Sequence, residues 1–281
     1  MKFGAHVSGS GSLDLAFDRA KDLGADCFQT FLSPPQQWVK PSLKPEVVEK
    51  FKQKAIETGI GPNFIHGTYL ISLGTSNPEH LQKSIDWLVY ALDAASQLGV
   101  QGVIFHLGSH KGAGFAAIKE QVIQALSEVL QNAKGEVQLI LETSAGAGGN
   151  IGGQFNQLGE LLKAVNDPRA KICLDIQHVF AAGYEIHTKI GLEMAIEEFD
   201  REIGLENLVV VHVNDSKTEF SSGKDRHDNI GAGAIGSDGF GQLLQHPVFK
   251  NLPLILEVPG FENTGPDVKN LSILRSLVKE V

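Results

Sequence analysis

Side chains of the kind that bind metal ions stand at or near the ends of short apolar segments. They are His6, His66, His106, Glu142, Asp175, His212 and Glu257. A buried imidazole or carboxylate without a partner is costly or changes its protonation, and carboxylates that lie close together repel unless cations separate them. Any one of these residues alone, such as His106, is more often a hydrogen-bonded core residue. If the segments converge, however, their ends predict a metal cluster.

Two further pairs have spacings that suit the same chemistry. Asp175 and His178 stand three positions apart where an apolar run gives way to a loop, so they can serve neighbouring ions. Asp225 and His227 are two positions apart, which places them on one side of an extended segment. A charged loop could also carry this second pair without binding a metal.

The candidate ligands form a set of nine imidazole and carboxylate side chains. They are His66, His106, Glu142, Asp175, His178, His212, Asp225, His227 and Glu257. Ligands of this kind without cysteine suit zinc, manganese or iron and do not suit a structural zinc finger. Nine ligands would crowd two ions, whereas three ions that share a bridging carboxylate can use all of them and keep open positions for water. Cys27 and Cys173 stand inside apolar runs and are expected to be reduced core thiols.

Eight apolar segments that could position these residues alternate with stretches of helical periodicity. The predicted strands are 3–7, 27–32, 63–66, 102–107, 138–143, 171–176, 207–213 and 253–258. The predicted helices are 13–23, 45–58, 79–98, 115–133, 158–165, 191–203, 240–244 and 271–281. This alternation predicts an α/β fold, a (β/α)8 TIM barrel that forms a single domain over residues 1–281, with a doubly wound open sheet as the alternative. In such a barrel the carboxyl ends of the strands meet at one face, where catalytic groups lie.

The composition limits the classes of function. The chain has 281 residues, of which 42% are hydrophobic and 20% charged, so a disordered chain is excluded. No run approaches the roughly 18 apolar residues of a membrane span, and the first residues contain no apolar signal core. We therefore expect no membrane partner and a cytoplasmic protein. The net charge of −9 argues against a nucleic-acid partner unless cations concentrate positive charge locally.

The loop 231–236 matches the G-x-G-x-x-G pattern of dinucleotide-binding sites. That fingerprint requires a preceding strand and a βαβ unit, and a polar segment precedes this loop instead. We expect a loop beside the site and no organic cofactor.

Several of these motifs, in order, resemble the endonuclease IV family of apurinic/apyrimidinic DNA endonucleases over essentially the full chain. The matching stretches are GAHVS at 4–8, HGTYL at 66–70, HLGSH at 106–110, LDIQH at 174–178 and VHVNDSK at 211–217. The resemblance implies a TIM barrel with a trinuclear zinc centre. It assigns His66, His106 and Glu142 to one ion, Asp175, His212 and Glu257 with the bridging Glu142 to a second, and His178, Asp225 and His227 to a third.

The same resemblance implies an activity. The chain is expected to be a zinc-dependent endonuclease of base excision repair that cuts 5′ to an abasic site and leaves a 3′-hydroxyl and a 5′-deoxyribose phosphate. It is also expected to trim blocked 3′ ends and to act on double-stranded DNA as a monomer. Glu142 is the expected catalytic residue, and the cofactors are three Zn2+, with Mn2+ or Fe2+ as alternatives at some positions.

Contacts with DNA are expected from two sets of residues. Gln36, Gln37, Tyr69 and Leu70 would fill the gap left by the missing base or support the opposite base, and Lys217 and Arg226 would hold flanking phosphates. The family often has an arginine at the position of Gln36, so this chain departs from the pattern there.

Two alternatives remain open from the sequence. A metal-dependent sugar isomerase or epimerase of similar barrel fold would use Glu142, Asp175, His212 and Glu257, but it would leave the other candidate ligands without a role. A protein that binds DNA lesions without cutting them would have no need of an open position for water.

Overall fold

Eight parallel strands close into a barrel in the computed structural model, which describes residues 1–278. Ten strands are present among these residues: β1 Lys2–His6, β2 Cys27–Phe31, β3 Asn63–His66, β4 Gly102–Phe105, β5 Gln138–Glu142, β6 Ala170–Asp175, β7 Leu208–His212, β8 Asp215–Ser216, β9 His227–Asp228 and β10 Pro253–Leu256. The order around the barrel is β1-β10-β7-β6-β5-β4-β3-β2, and pairing of Lys2 with Pro253 begins the contact between the first and last strands. The predicted TIM barrel is confirmed, and the open sheet is excluded.

Helices connect successive strands on the outside of the barrel. They are α1 Leu15–Leu23, α2 Pro45–Thr58, α3 Pro78–Leu98, α4 Phe115–Asn132, α5 Phe155–Val165, α6 Ile176–Ala182, α7 Lys189–Glu202, α8 Gly236–Gln245 and α9 Val268–Ser276. The boundaries follow local chemistry: before α3, the side chain of Asn77 accepts a hydrogen bond from the backbone N–H of His80, and after it Gly99 adopts a left-handed conformation with φ 75°. Each predicted helix corresponds to one of these. Residues 279–281 of the last prediction lie outside the described residues.

Three short elements were not predicted correctly. Ile176 was expected to end a strand but begins α6. The antiparallel hairpin of β8 and β9 was not among the predicted strands, although Asp225 and His227 were expected to lie on an extended segment. The predicted strands 102–107 and 253–258 also extend too far, because β4 ends at Phe105 and β10 at Leu256. At the ends of β4, β6 and β10 the chain leaves the barrel beside a polar residue. The apolar pattern alone does not show at which residue the strand ends.

The interior of the barrel is apolar up to the level of the site. Phe64, Ile104, Ile140, Val210 and Ile255 are completely buried there, together with Cys27 and Cys173, which are free thiols as expected. Burying a side chain such as Phe64 or Ile255 contributes about 1.5–3 kcal/mol. A filled interior leaves room for polar groups only at the strand ends.

None of the helices within residues 1–278 combines the length and the apolar character that crossing a bilayer requires.

Candidate metal centre

All nine candidate ligands gather at the carboxyl ends of the barrel strands. A cavity of about 870 Å3 opens there, and six of the nine line it: His66, His106, His178, Asp225, His227 and Glu257. The remaining three, Glu142, Asp175 and His212, are completely buried. Eight of the nine, all except Asp225, form three groups in which one ligand atom from each residue lies within 4.8 Å of the others.

The first group consists of His66, His106 and Glu142. Oε2 of Glu142 lies 3.1 Å from Nε2 of His66 and 3.5 Å from Nε2 of His106. His66 donates its Nδ1–H to the carbonyl of Gly67 at 2.8 Å, so Nε2 is the nitrogen available to an ion. The membership of this group is the one that the family resemblance implies.

The second group consists of Glu142, Asp175, His212 and Glu257. Nδ1 of His212 lies 3.0 Å from Oε1 of Glu142, 3.2 Å from Oε2 of Glu257 and 3.6 Å from Oδ2 of Asp175. The two oxygens of Glu142 therefore face two different groups, as a bridging ligand requires.

The third group joins His178 and His227 with Asp175, and Asp225 lies beside it. Asp225 places Oδ2 at 3.3 Å from Nε2 of His178 and Oδ1 at 3.3 Å from Nε2 of His227. Asp175 approaches from the barrel, with Oδ2 at 3.8 Å from Nε2 of His227. His227 begins β9, so the β8–β9 hairpin delivers the part of this group that the barrel itself cannot supply.

The charged groups of the site shift one another's pKa values. Burial alone would raise the pKa of Glu142 and Glu257, but the surrounding imidazoles lower both well below the ordinary value. Burial likewise opposes the charge on Asp225, yet the adjacent imidazole of His178 and the charges of His227 and His106 lower its pKa to about 2. Conversely, burial would lower the pKa of His178 and His212, and neighbouring charges raise both well above the ordinary value. The carboxylates are therefore ionised and available as ligands.

Two buried nitrogens provide a test of whether a cation fits. Within residues 1–278, Nε2 of His178 and Nε2 of His227 are buried and make no hydrogen bond, although Asp225 lies close to both. An unsatisfied buried polar group costs about 1–3 kcal/mol. When an imidazole nitrogen and a carboxylate oxygen lie close together without a hydrogen bond, the two atoms are placed as two ligands of one ion would be. Nitrogen and oxygen donors of this kind suit zinc, manganese or iron.

Backbone and side-chain amides support the ligands in ways that the sequence motifs did not indicate. His178 donates Nδ1–H to the carbonyl of Thr143 at 2.9 Å, which leaves Nε2 free for an ion. Asn214 donates to Oδ2 of Asp175 at 2.8 Å and accepts from the backbone N–H of Glu257 at 2.7 Å. Asn214 stands two positions after His212, and this period of two was the signal that could have identified it.

The loop 231–236 is bound to a buried carboxylate. Asp215 accepts hydrogen bonds from the backbone N–H groups of Gly231, Gly233 and Ile235 at 2.9 to 3.0 Å. A Cβ at Gly233 would lie 2.4 Å from the carbonyl oxygen of Ser216, so the loop can approach the hairpin this closely only with glycine there. These N–H groups therefore anchor the loop to β8.

Among the residues predicted to contact DNA, the structure places one in the lining of the cavity. Tyr69 lines it with 56% of its surface exposed and packs edge-on against Phe31, while Leu70 is half-buried. Gln36 and Gln37 are exposed on a loop that does not line the cavity. A hydrogen bond from the Tyr69 N–H to the Pro35 carbonyl links this loop to the cavity wall.

Lys217 and Arg226 are exposed on the β8–β9 hairpin, where the Lys217 N–H donates to the carbonyl of Arg226. Arg226 stands between Asp225 and His227 in the chain, beside the third group of ligands. The role of these residues in binding DNA stays a prediction.

Comparisons with known proteins agree with this geometry. A family model described as a xylose isomerase-like TIM barrel matches residues 17–277. The chain is 39% identical over 280 residues to "Probable endonuclease 4" of Persephonella marina, covering 99% of this chain and 98% of that protein. It is 36% identical over 276 residues to "Probable endonuclease 4" of Halothermothrix orenii, covering 98% and 99%.

Solved structures of two kinds are similar to this chain. The crystal structure of endonuclease IV from Thermus thermophilus has a TM-score of 0.87 and 32% identity, and the match covers 99% of this chain and 98% of that one. A D-tagatose 3-epimerase-like protein has a TM-score of 0.74 at 18% identity, covering 99% and 97%. At that identity the second likeness shows the fold alone.

Proposed function

Because the chain belongs to the endonuclease IV family of apurinic/apyrimidinic DNA endonucleases, we propose that it hydrolyses the phosphodiester 5′ to an abasic site in double-stranded DNA. The products are a 3′-hydroxyl and a 5′-deoxyribose phosphate, and blocked 3′ ends are trimmed by the same site. The enzyme acts in base excision repair as a single-domain monomer. The observation that carries this proposal is the carboxylate of Glu142, which faces two groups of ligands with its two oxygens.

The three groups are proposed to hold three zinc ions. His66, His106 and Glu142 hold the first, Glu142, Asp175, His212 and Glu257 hold the second, and His178, Asp225 and His227 hold the third, with Asp175 beside it. Bound zinc lowers the pKa of water from 15.7 to about 7 and neutralises charge that develops on phosphate oxygens. A phosphodiester needs both effects, because its anionic oxygens repel a nucleophile.

The protein's own part in the reaction is to keep the ligand carboxylates ionised and to fix the distance between the groups of ligands. Glu142 stays ionised because the imidazoles around it lower its pKa, and its fixed position keeps the first two groups a constant distance apart. The low pKa of Asp225 likewise keeps a negative ligand at the exposed side of the site. We assign no separate general base among the remaining side chains.

Binding of DNA to a chain of net charge −9 requires local positive charge. Lys217 and Arg226 are exposed on the hairpin beside the third group, and we propose that they hold the phosphates that flank the lesion. The ions would concentrate further positive charge at the cavity, where the scissile phosphate must lie.

Selection of the lesion follows from the cost of moving a nucleotide out of the helix. An abasic nucleotide has no base to unstack, so it enters a cavity more cheaply than an intact one. Phe31 and Tyr69 give the cavity an aromatic wall, and Tyr69 lies at its rim. We propose that Tyr69 and Leu70, with Gln36 and Gln37 on the adjoining loop, occupy the gap left in the base stack.

Incision of a duplex that contains one abasic analogue tests the proposal. The purified protein is expected to cut the strand 5′ to the analogue, to lose this activity on chelation and to regain it with Zn2+, and end analysis is expected to show a 3′-hydroxyl. A protein that binds the duplex but leaves it uncut with zinc supplied would contradict the hydrolase. A zinc content of one or two ions per chain would contradict the three-ion centre and favour an epimerase-like site.

A further inference from the structure

Gln29 is a completely buried amide at the base of the candidate metal centre. It lies on β2, next to His6 in the register of β1 and β2. Its Nε2 lies 2.6 Å from Oε1 of Glu257 and 2.9 Å from Nδ1 of His6, and its Oε1 lies 2.9 Å from Nε2 of His212. One side chain therefore contacts two of the four ligands of the second group.

The chemistry of the partners fixes the orientation of this amide. A carboxylate only accepts hydrogen bonds, so the atom of Gln29 that faces Glu257 is the NH2 group. The carbonyl oxygen must then face His212, and it can only accept, so Nε2 of His212 carries the hydrogen. Turning the amide over would place two acceptors together at Glu257.

The consequence for His212 is a defined role for each ring nitrogen. Nε2–H is used by Gln29, which leaves Nδ1 to face Glu142, Asp175 and Glu257. A ligand histidine is generally oriented in this way by a partner at its other nitrogen. For His66 and His178 that partner is a backbone carbonyl, whereas for His212 it is a side chain, which a substitution can remove.

We propose that Gln29 is a positioning residue for the second metal ion, through its simultaneous hydrogen bonds to His212 and Glu257. The inference rests on the proposed metal centre and adds to it a residue that contacts no ion itself. Loss of the amide leaves His212 free to turn and the Glu257 carboxylate without its donor. Removal of such a partner typically weakens metal binding by about 10–100-fold.

Cobalt binding tests this role without any measurement of activity. Metal-free wild-type protein and Gln29→Met, which replaces the amide with an apolar chain of similar size, are titrated with Co2+ while the visible absorption is recorded. The affinity for Zn2+ is measured by competition with a chromophoric chelator. We expect one of three equivalents to bind about 10–100-fold more weakly in the variant, with a changed cobalt spectrum, and the other two to be unaffected.

Gln121→Met is the matched control. Gln121 lies on α4 and donates to the backbone carbonyls of Leu73 and Thr75 at 2.7 and 2.9 Å, away from the ligands. This variant is expected to bind metal as the wild type does. If Gln29→Met does not fold by circular dichroism, Gln29→Asn decides the question, because it keeps a neutral amide on a side chain one methylene shorter, which cannot reach Glu257 and His212 together; we expect at least about tenfold weaker binding of one equivalent.

The outcomes separate the two proposals. Wild-type affinity, stoichiometry and spectrum in a folded Gln29 variant would overturn the positioning role and leave the metal centre intact. A wild-type protein that binds no Co2+ or Zn2+ would overturn the metal centre and this inference with it.

Discussion

Glu142 and His212 face each other across the mouth of the barrel, with 3.0 Å between Oε1 and Nδ1. The other oxygen of Glu142 is turned toward His66 at 3.1 Å. A single buried carboxylate at the end of β5 thus faces candidate ligands from two other strands, β3 and β7. Changes at this carboxylate should therefore affect two groups of ligands at once.

Glu142→Gln should abolish the bridge while it preserves the size of the side chain. The neutral amide offers one acceptor oxygen where two charged oxygens are needed, so we expect incision of an abasic duplex to fall by more than about 100-fold and bound zinc to decrease. Glu160→Gln is the control, since Glu160 pairs with Lys119 on the surface at 3.1 Å. Circular dichroism should be unchanged in both, and full activity of Glu142→Gln would reject the bridging role.

Binding of zinc should release protons. The pKa of His178 and of His212 is raised by neighbouring charges, so the metal-free chain carries protons that an ion must displace. Each displaced proton makes the affinity fall about tenfold per unit of decreasing pH in the range where the imidazoles are protonated. Calorimetric titration at about pH 6 and about pH 8 in buffers of different ionisation enthalpy counts these protons. An affinity that does not change with pH would contradict the prediction.

The same raised pKa values determine whether the free energy of unfolding of the metal-free chain rises or falls with pH. The folded state binds these protons more tightly than the unfolded state. Their contribution to the free energy of unfolding is therefore fully present below the ordinary histidine pKa of 6.5. It is lost as pH rises through the folded-state values. Urea unfolding with a chelator present should show this loss of stability as the pH rises. In His178→Gln the loss between low and high pH should be smaller.

Tyr69→Ala should weaken recognition of the lesion and spare the metal centre. An aromatic ring that stacks on a base contributes about 1–3 kcal/mol, so the affinity for an abasic duplex should fall about 10-fold while the zinc content stays constant. Ile56→Ala is the control, because Ile56 is an exposed apolar residue on α2 that does not line the cavity. Equal losses for abasic and intact duplexes would contradict a role in recognising the lesion.

Asp215→Ala should destabilise the hairpin that carries His227. The substitution leaves the N–H groups of Gly231, Gly233 and Ile235 without their acceptor, and we expect a loss of about 2–4 kcal/mol in the free energy of unfolding. Asp228→Ala is the matched control, because Asp228 pairs with Asp215 in the hairpin and accepts one hydrogen bond, from the N–H of Asn229. Denaturant unfolding measures both, and similar losses for the two variants would contradict the anchoring role.

Much of the barrel could be predicted because its strands are apolar runs that end in polar residues of one chemical kind. His66 and Glu142 end β3 and β5, and burial of such groups is tolerated only where they share partners. The eight barrel strands and the convergence of the candidate ligands follow from that argument. That these residues bind metal is a separate statement, and it stays a prediction.

The remainder depends on which groups meet across the barrel. Gln29 stands in an apolar strand, and no local pattern shows that its amide lies between Glu257 and His212. The hairpin of β8 and β9 is too short and polar to produce a strand signal, since its order comes from the contacts of Asp215 with a later loop. Likewise, Asp175 approaches the third group because of where its strand lies in the barrel, which the sequence does not show.

Closure of the barrel has a consequence for the timing of activity during translation. The strand that completes the ring is β10, which pairs with β1, and Glu257 follows it directly. A nascent chain that has not yet released this segment from the ribosome lacks both the last hydrogen-bonded neighbour of β1 and one candidate ligand. Polypeptides cut short before that point would lack a closed barrel, and we expect them to be inactive.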